Sequence, residues 1–89
     1  MYKLESYSED VMCQLHDSHK IASGCGMHYV NLFWVDPWGV FSHKEAYFPN
    51  GLDATLYANS VFEKCVDLCD NTEVAVYVDG RQYKYHKEG

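Results

Sequence analysis

Glu73-Val-Ala-Val-Tyr-Val-Asp-Gly-Arg-Gln-Tyr-Lys-Tyr85 is the stretch that decides the fold. Val74, Val76 and Val78 alternate, an Asp79-Gly80 pair follows, and Tyr83 and Tyr85 alternate again. Asp-Gly between two alternating runs is the strongest short-range hairpin signal, because both central residues of a type I′ turn take positive φ. A two-residue loop also sets register. Val78 is expected opposite Arg81, Val76 opposite Tyr83, and Val74 opposite Tyr85. One hairpin face is then apolar, and the other carries Ala75, Tyr77, Gln82 and Lys84.

Upstream of this hairpin, the spacing predicts a helix from Asp53, as its N-cap, to Cys69. Ala54, Tyr57, Ala58, Val61, Phe62, Cys65, Leu68 and Cys69 form its apolar stripe. Thr55, Asn59, Glu63, Asp67 and Asp70 lie opposite. Pro49-Asn50-Gly51 separates this helix from a second predicted hairpin. Its strands are His28–Val35 and Val40–Phe48, and Asp36-Pro-Trp-Gly39 forms its turn. Leu32 and Trp34 fall on one face of the first strand, Phe33 and Val35 on the other, so both faces carry large apolar groups. Nearer the start, Ser6 and Glu9 have capping-box spacing, and Tyr7, Val11, Met12, Leu15 and His19 recur at helical intervals. They predict a helix over 7–20, ended by Gly24 and Gly26.

The expected fold is α+β in one domain, residues 1–89: an antiparallel sheet of about four strands, made of two hairpins, packed by one main helix, plus an N-terminal helix. Strand order within the sheet is not legible. With 89 residues the core is thin and leaves little room for a deep catalytic pocket.

Thirteen acidic against seven basic residues give a formal charge of −6, which argues against a nucleic-acid binder. Apolar runs such as Leu32–Val35 are too short to span a bilayer, and no apolar leader follows Met1. The expectation is a cytoplasmic protein whose four cysteines are thiols or ligands rather than a disulfide framework.

Four constellations of side chains could carry chemistry. Cys13, His16, His19, Cys25 and His28 include enough soft and borderline ligands for tetrahedral zinc. The alternative reading of the chain is a zinc-stabilised binding module built on Cys13, His16, Cys25 and His28. Their spacing follows no zinc-finger pattern, and the leading expectation is no metal and no cofactor. Cys65 and Cys69 share the apolar helix face and read as core packing. No nucleophile, P-loop or dinucleotide signature is present, and the chain reads as a non-enzyme. The aromatic group Trp34, Trp38 and Phe41 and the acidic residues Glu63, Asp67 and Asp70 are the candidate partner-binding residues. Trp is a usual interface anchor, and acidic groups steer a basic partner. The competing reading places Trp34 in the core and leaves the acidic face merely solvated. An exposed second sheet face would favour a homodimer.

In size, acidity and the lack of motifs, the chain resembles the small acidic accessory proteins of bacteriophages, including many anti-CRISPR proteins. Glu73-Val-Ala-Val-Tyr-Val-Asp-Gly-Arg-Gln82 following a helix resembles the ending of many of them. The resemblance implies a non-enzymatic, phage-encoded inhibitor in the cytoplasm of a bacterial host. Such an inhibitor occludes a basic surface on a defence or other nucleic-acid-handling complex without contacting nucleic acid itself. It transfers no functional residue, and the Cys/His cluster is no part of it.

Overall fold

The computed structural model describes residues 4–69 and 71–88. A 3-10 turn, Leu4–Tyr7, leads into helix α1, Ser8–Cys25. Strands β1, His28–Val35, and β2, Phe41–Phe48, follow, then helix α2, Gly51–Cys69. Strands β3, Glu73–Val78, and β4, Arg81–Lys87, complete an antiparallel sheet ordered β2-β1-β3-β4. The α+β class, the four strands in two hairpins, the main helix and the N-terminal helix are those expected from the sequence.

Each element reflects its local chemistry. Asp36 closes the first hairpin as anticipated: its Oδ1 accepts from the backbone N–H groups of Trp38 and Val40, both at 2.9 Å. Gly39 takes φ 85° there, a left-handed value that favours glycine. Helix α2 is capped by Asn50 rather than by Asp53. The Asn50 carbonyl accepts the first helical bond from Ala54, and its Oδ1 accepts from the Asp53 N–H at 2.8 Å. Asp53 Oδ2 accepts in return from Asn50 Nδ2 at 2.9 Å, so Asp53 is the second partner of the cap. Helix α1 has no side-chain cap at its start, and the Ser6–Glu9 box does not form there. At its other end α1 runs through Gly24 to Cys25, until Gly26 adopts φ 65°.

Strand β1 lies between two layers. Val30, Leu32, Val74 and Val76 pack on Ala54 and Ala58 of α2, whose small side chains let that helix approach the sheet closely. Phe33, Val35 and Ala75 pack on Leu4, Val11 and Leu15 from the opposite side. Met12, expected in the α1 stripe, is 64% exposed; Ser18 and Ala22 continue the buried face instead. The side chains of Leu68 and Cys69, expected in the α2 stripe, lie outside the described residues.

The β3–β4 register departs from the expected one. Val78 opposes Arg81 and Tyr77 opposes Gln82, but Val76 then opposes Lys84 and Val74 opposes His86. Tyr83 is an extra residue, a β-bulge that shifts everything after it by one. Lys84 moves to the α2 side, where its Nζ stands 5.9 Å from the centre of the Phe62 ring. Tyr85 moves to the α1 side, opposite Ala75. There its hydroxyl donates to Glu73, a carboxyl group only 7% exposed that also accepts from the Leu4 N–H at 2.8 Å. Satisfying this buried acceptor rewards the bulged register over the regular one.

Between α1 and the sheet runs a polar seam. Fully buried Asn31 donates through Nδ2 to Ser18 Oγ at 2.9 Å, and Ser18 donates to Glu45 Oε2 at 3.1 Å. With its proton on Nδ1, His43 also accepts from Asn31 Nδ2, at 3.4 Å through Nε2. Burial pushes the His43 pKa down, against a smaller upward pull from Glu45.

Two outcomes follow. Asn50→Ala should lower the unfolding free energy by about 1 kcal/mol, read from urea denaturation. His43 has a folded-state pKa below its ordinary 6.5, so its contribution is present above that pH and is lost as pH falls through the folded value. Wild-type stability should therefore decline from pH 7 towards pH 5. His43→Gln, which keeps an acceptor but cannot protonate, should decline less across the same window.

Candidate functional site

Trp38 is the most exposed large apolar side chain among those described, at 83%, and Val40 beside it is 56% exposed. The turn that carries Trp38 is rigidly built. Besides the Asp36 bonds, Gly39 N–H donates to Asp36 O, and Tyr7 Oη donates to Gly39 O at 3.1 Å. The indole is thus presented to solvent from a backbone tied to both β1 and the start of the chain.

The other two predicted aromatics do not join it. Trp34 is half-buried against the α2 core. Phe41 lies on the other sheet face, stacked on Tyr7 with centroids 4.6 Å apart and on Phe33 at 6.1 Å. Successive β residues point to opposite faces, and this alternation separates Trp34 from Phe41. Glu63 and Asp67 are exposed on the outer face of α2, where with Ser60 and Lys64 they line a shallow depression of about 250 Å³. Helix α2 ends beside the Trp38 turn, because Thr72 N–H donates to Val35 O just before that turn. Trp38 and Asp67 therefore occupy one end of the sheet. Asp70 lies outside the described residues.

The Cys/His cluster is dispersed. Helix α1 continues through Cys25, which sets Cys13 and Cys25 about 18 Å apart along its axis. Zinc–sulfur bonds of about 2.3 Å cannot bridge that span. Both thiols are exposed. His19 instead contacts Tyr29 Oη at 3.3 Å and Ser23 Oγ at 3.4 Å. His28 pairs with Asp79 at 2.9 Å. Among the described residues, no three His, Cys, Asp or Glu side chains converge to hold a metal ion.

Asp79 is instead a structural clamp. It sits at φ 53° in the β3–β4 turn and accepts from the Tyr29 N–H, tying that turn to the start of β1. Gly80 follows at φ 83°, and a Cβ there would lie 2.7 Å from Tyr29 Oη. Burial, with help from Asp79, raises the Tyr29 pKa.

A groove that the sequence did not reveal opens where α1 leaves β3 and β4 uncovered. It encloses about 290 Å³, with Phe33 and Ala75 as floor, Val11 and Met12 on one wall, and Tyr77 and Tyr85 on the other. Glu73 and Glu5 also line it. Desolvation, the bond to Glu73 and the charges of Glu73 and Glu5 push the Tyr85 hydroxyl up to about 12, and burial raises Tyr77 as well. The bulge at Tyr83 hid this site, because the regular register points Tyr85 to the opposite face.

Compared with known proteins, the chain matches no family model, no curated protein and no solved structure. No described helix is long and apolar enough to cross a membrane.

Tyr85 retains its proton in the folded chain to about pH 12, against 10.0 for an ordinary tyrosine. Its stabilisation is complete below pH 10 and is lost as pH rises through the folded value. Alkaline unfolding of Tyr85→Phe should therefore depend less steeply on pH above 10 than that of the wild type. Absorbance titration should show one late-ionising tyrosine fewer.

Proposed function

We propose that this chain is a non-enzymatic inhibitor that binds a protein with a basic surface and acts by occlusion. One observation carries the reading: an 83%-exposed tryptophan held on a hydrogen-bonded turn. Exposing an indole to water is unfavourable, and a rigid turn loses little entropy when a partner covers it. Asp67 at the same end, with Glu63 one helical turn before it, supplies charge that steers a basic partner, although Lys64 between them dilutes the field. The formal charge of −6 is consistent with that steering.

The resemblance to anti-CRISPR proteins suggests the class of target: a nucleic-acid-handling complex of a bacterial host, whose nucleic-acid groove supplies the basic surface. On this reading the protein acts in the cytoplasm of that host and needs no cofactor.

The test is expression in bacteria carrying an active CRISPR–Cas system. The wild-type chain should restore transformation by a targeted plasmid and co-purify stoichiometrically with the effector complex. Trp38→Ala should weaken binding about tenfold or more, the loss typical of a tryptophan anchor, with an unchanged circular dichroism spectrum. Glu63→Lys with Asp67→Lys should slow association, most visibly at low salt. Full activity in both variants would exclude this surface, and unimpaired interference across such systems would exclude the target class.

A further inference from the structure

We infer that the groove between α1 and the β3–β4 hairpin is a binding site for an alkylammonium group. This site lies on the sheet face opposite α2 and does not depend on the Trp38 surface.

The composition of the groove selects the ligand class. At about 290 Å³ it is near the lower size limit of small-molecule sites, with room for a short aliphatic chain. Phe33, Ala75 and Val11 give it an apolar floor, and Met12, 64% exposed, overhangs one side. Tyr77 meets Phe33 edge-on, with centroids 5.6 Å apart and planes at 83°. Tyr85, 46% exposed, supplies a further aromatic surface on the β4 side. Phe33 is fully buried beneath Tyr77, so the aromatic surfaces open to a ligand are those of Tyr77 and Tyr85, which can attract an ammonium group through cation–π contact.

Charge narrows the choice. Two acidic side chains, Glu5 and Glu73, line the groove. Among the described residues, neither forms an ion pair with a lysine, arginine or histidine. Glu73 is 7% exposed and accepts one bond at each oxygen, from the Leu4 N–H and from Tyr85 Oη. A carboxylate has about four lone-pair positions, so its acceptor capacity is only half used. The described residues that line the groove include two carboxyl groups and no cation; Lys87, across from Glu73 in the sheet, is not among them. A purely apolar molecule would cover Glu73 without compensating its charge. A cationic head on an aliphatic stem satisfies both the floor and the acids. This chemistry belongs equally to a free aliphatic amine and to a lysine side chain of another protein.

The test uses the full-length ¹⁵N-labelled chain, titrated at constant ionic strength with pentylammonium chloride and, separately, with 1-pentanol. Pentylammonium should give saturable amide shifts at Ala75, Tyr77, Gln82 and Tyr85, and pentanol should bind about fivefold or more weakly. Glu5→Gln, an exposed substitution, should weaken pentylammonium about fivefold while leaving pentanol unchanged, a difference that mere structural damage would not produce. Tyr85→Phe, which keeps the ring, should bind like the wild type, whereas Tyr85→Leu should not. Trp38→Ala should leave all of these shifts intact, so the groove and the Trp38 surface can fail separately. Nα-acetyl-lysine methylamide separates the two sources. Tighter binding than pentylammonium points to a protein side chain, and weaker binding to a free amine. Absence of saturable shifts, equal affinity for pentanol, or indifference to Glu5→Gln would overturn the proposal.

Discussion

Strand β1 is apolar on both faces, and that constraint organises the molecule. Val30, Phe33 and Val35 are completely buried, Val30 on the α2 side of the sheet and Phe33 and Val35 on the α1 side. Such a strand is stable only between two layers and between two neighbouring strands. It therefore lies inside the sheet, pairing with β2 on one side and β3 on the other, and each of its faces is covered by a helix. The two coverings differ in kind. Helix α2 seats Ala54 and Ala58 directly on the sheet and spans both β1 and β3. Helix α1 covers mainly β1, and beyond Leu15 its contact becomes polar through Ser18, Asn31 and Glu45. Narrow coverage by α1 is what leaves room for a groove over β3 and β4.

The β4 bulge converts that uncovered area into a chemically distinct place. In a regular hairpin Tyr85 would join Val74 under α2, and the Glu73 carboxyl group would lose its hydroxyl donor. The extra residue at Tyr83 turns Tyr85 towards Glu73 and sends Lys84 to the other side, above Phe62. Glu73 and Lys84 are thereby placed on opposite faces, while Lys87 stands directly opposite Glu73. Tyr83 itself stays tied to α2, where its hydroxyl accepts from Asn59 at 3.3 Å.

Legibility in the sequence followed the range of the interactions. The element types, the Asp36 turn and both hairpins depend on neighbours within a few residues, and they were readable from Pro, Gly, Asp and alternation. The α2 cap was misplaced by three residues because Asn50 and Asp53 are both good caps, and only the bond geometry separates them. The length of α1 was underestimated because Gly24 is tolerated inside a helix held by tertiary contacts. The bulge was not readable, since its benefit comes from the buried Glu73, whose burial depends on Leu4 at the far end of the chain. Trp34 and Phe41 of the predicted aromatic cluster lie on different faces for a local reason: residues of opposite parity on this hairpin cannot share a face. Of that cluster, the turn position alone identified the exposed member, Trp38.

The two outer strands are not equivalent as edges. Strand β4 is kinked by its bulge and carries Arg81, Lys84 and Lys87, features that discourage another strand from adding alongside. Strand β2 pairs with β1 without a register break over its whole length, and of the four strands it leaves the more regular outer rim. Strand addition is therefore disfavoured at β4 more than at β2. Two copies joined through their β2 rims would present only bulged, cationic rims outward. Such a pair would close on itself, and strand addition at β2 would stop at two copies.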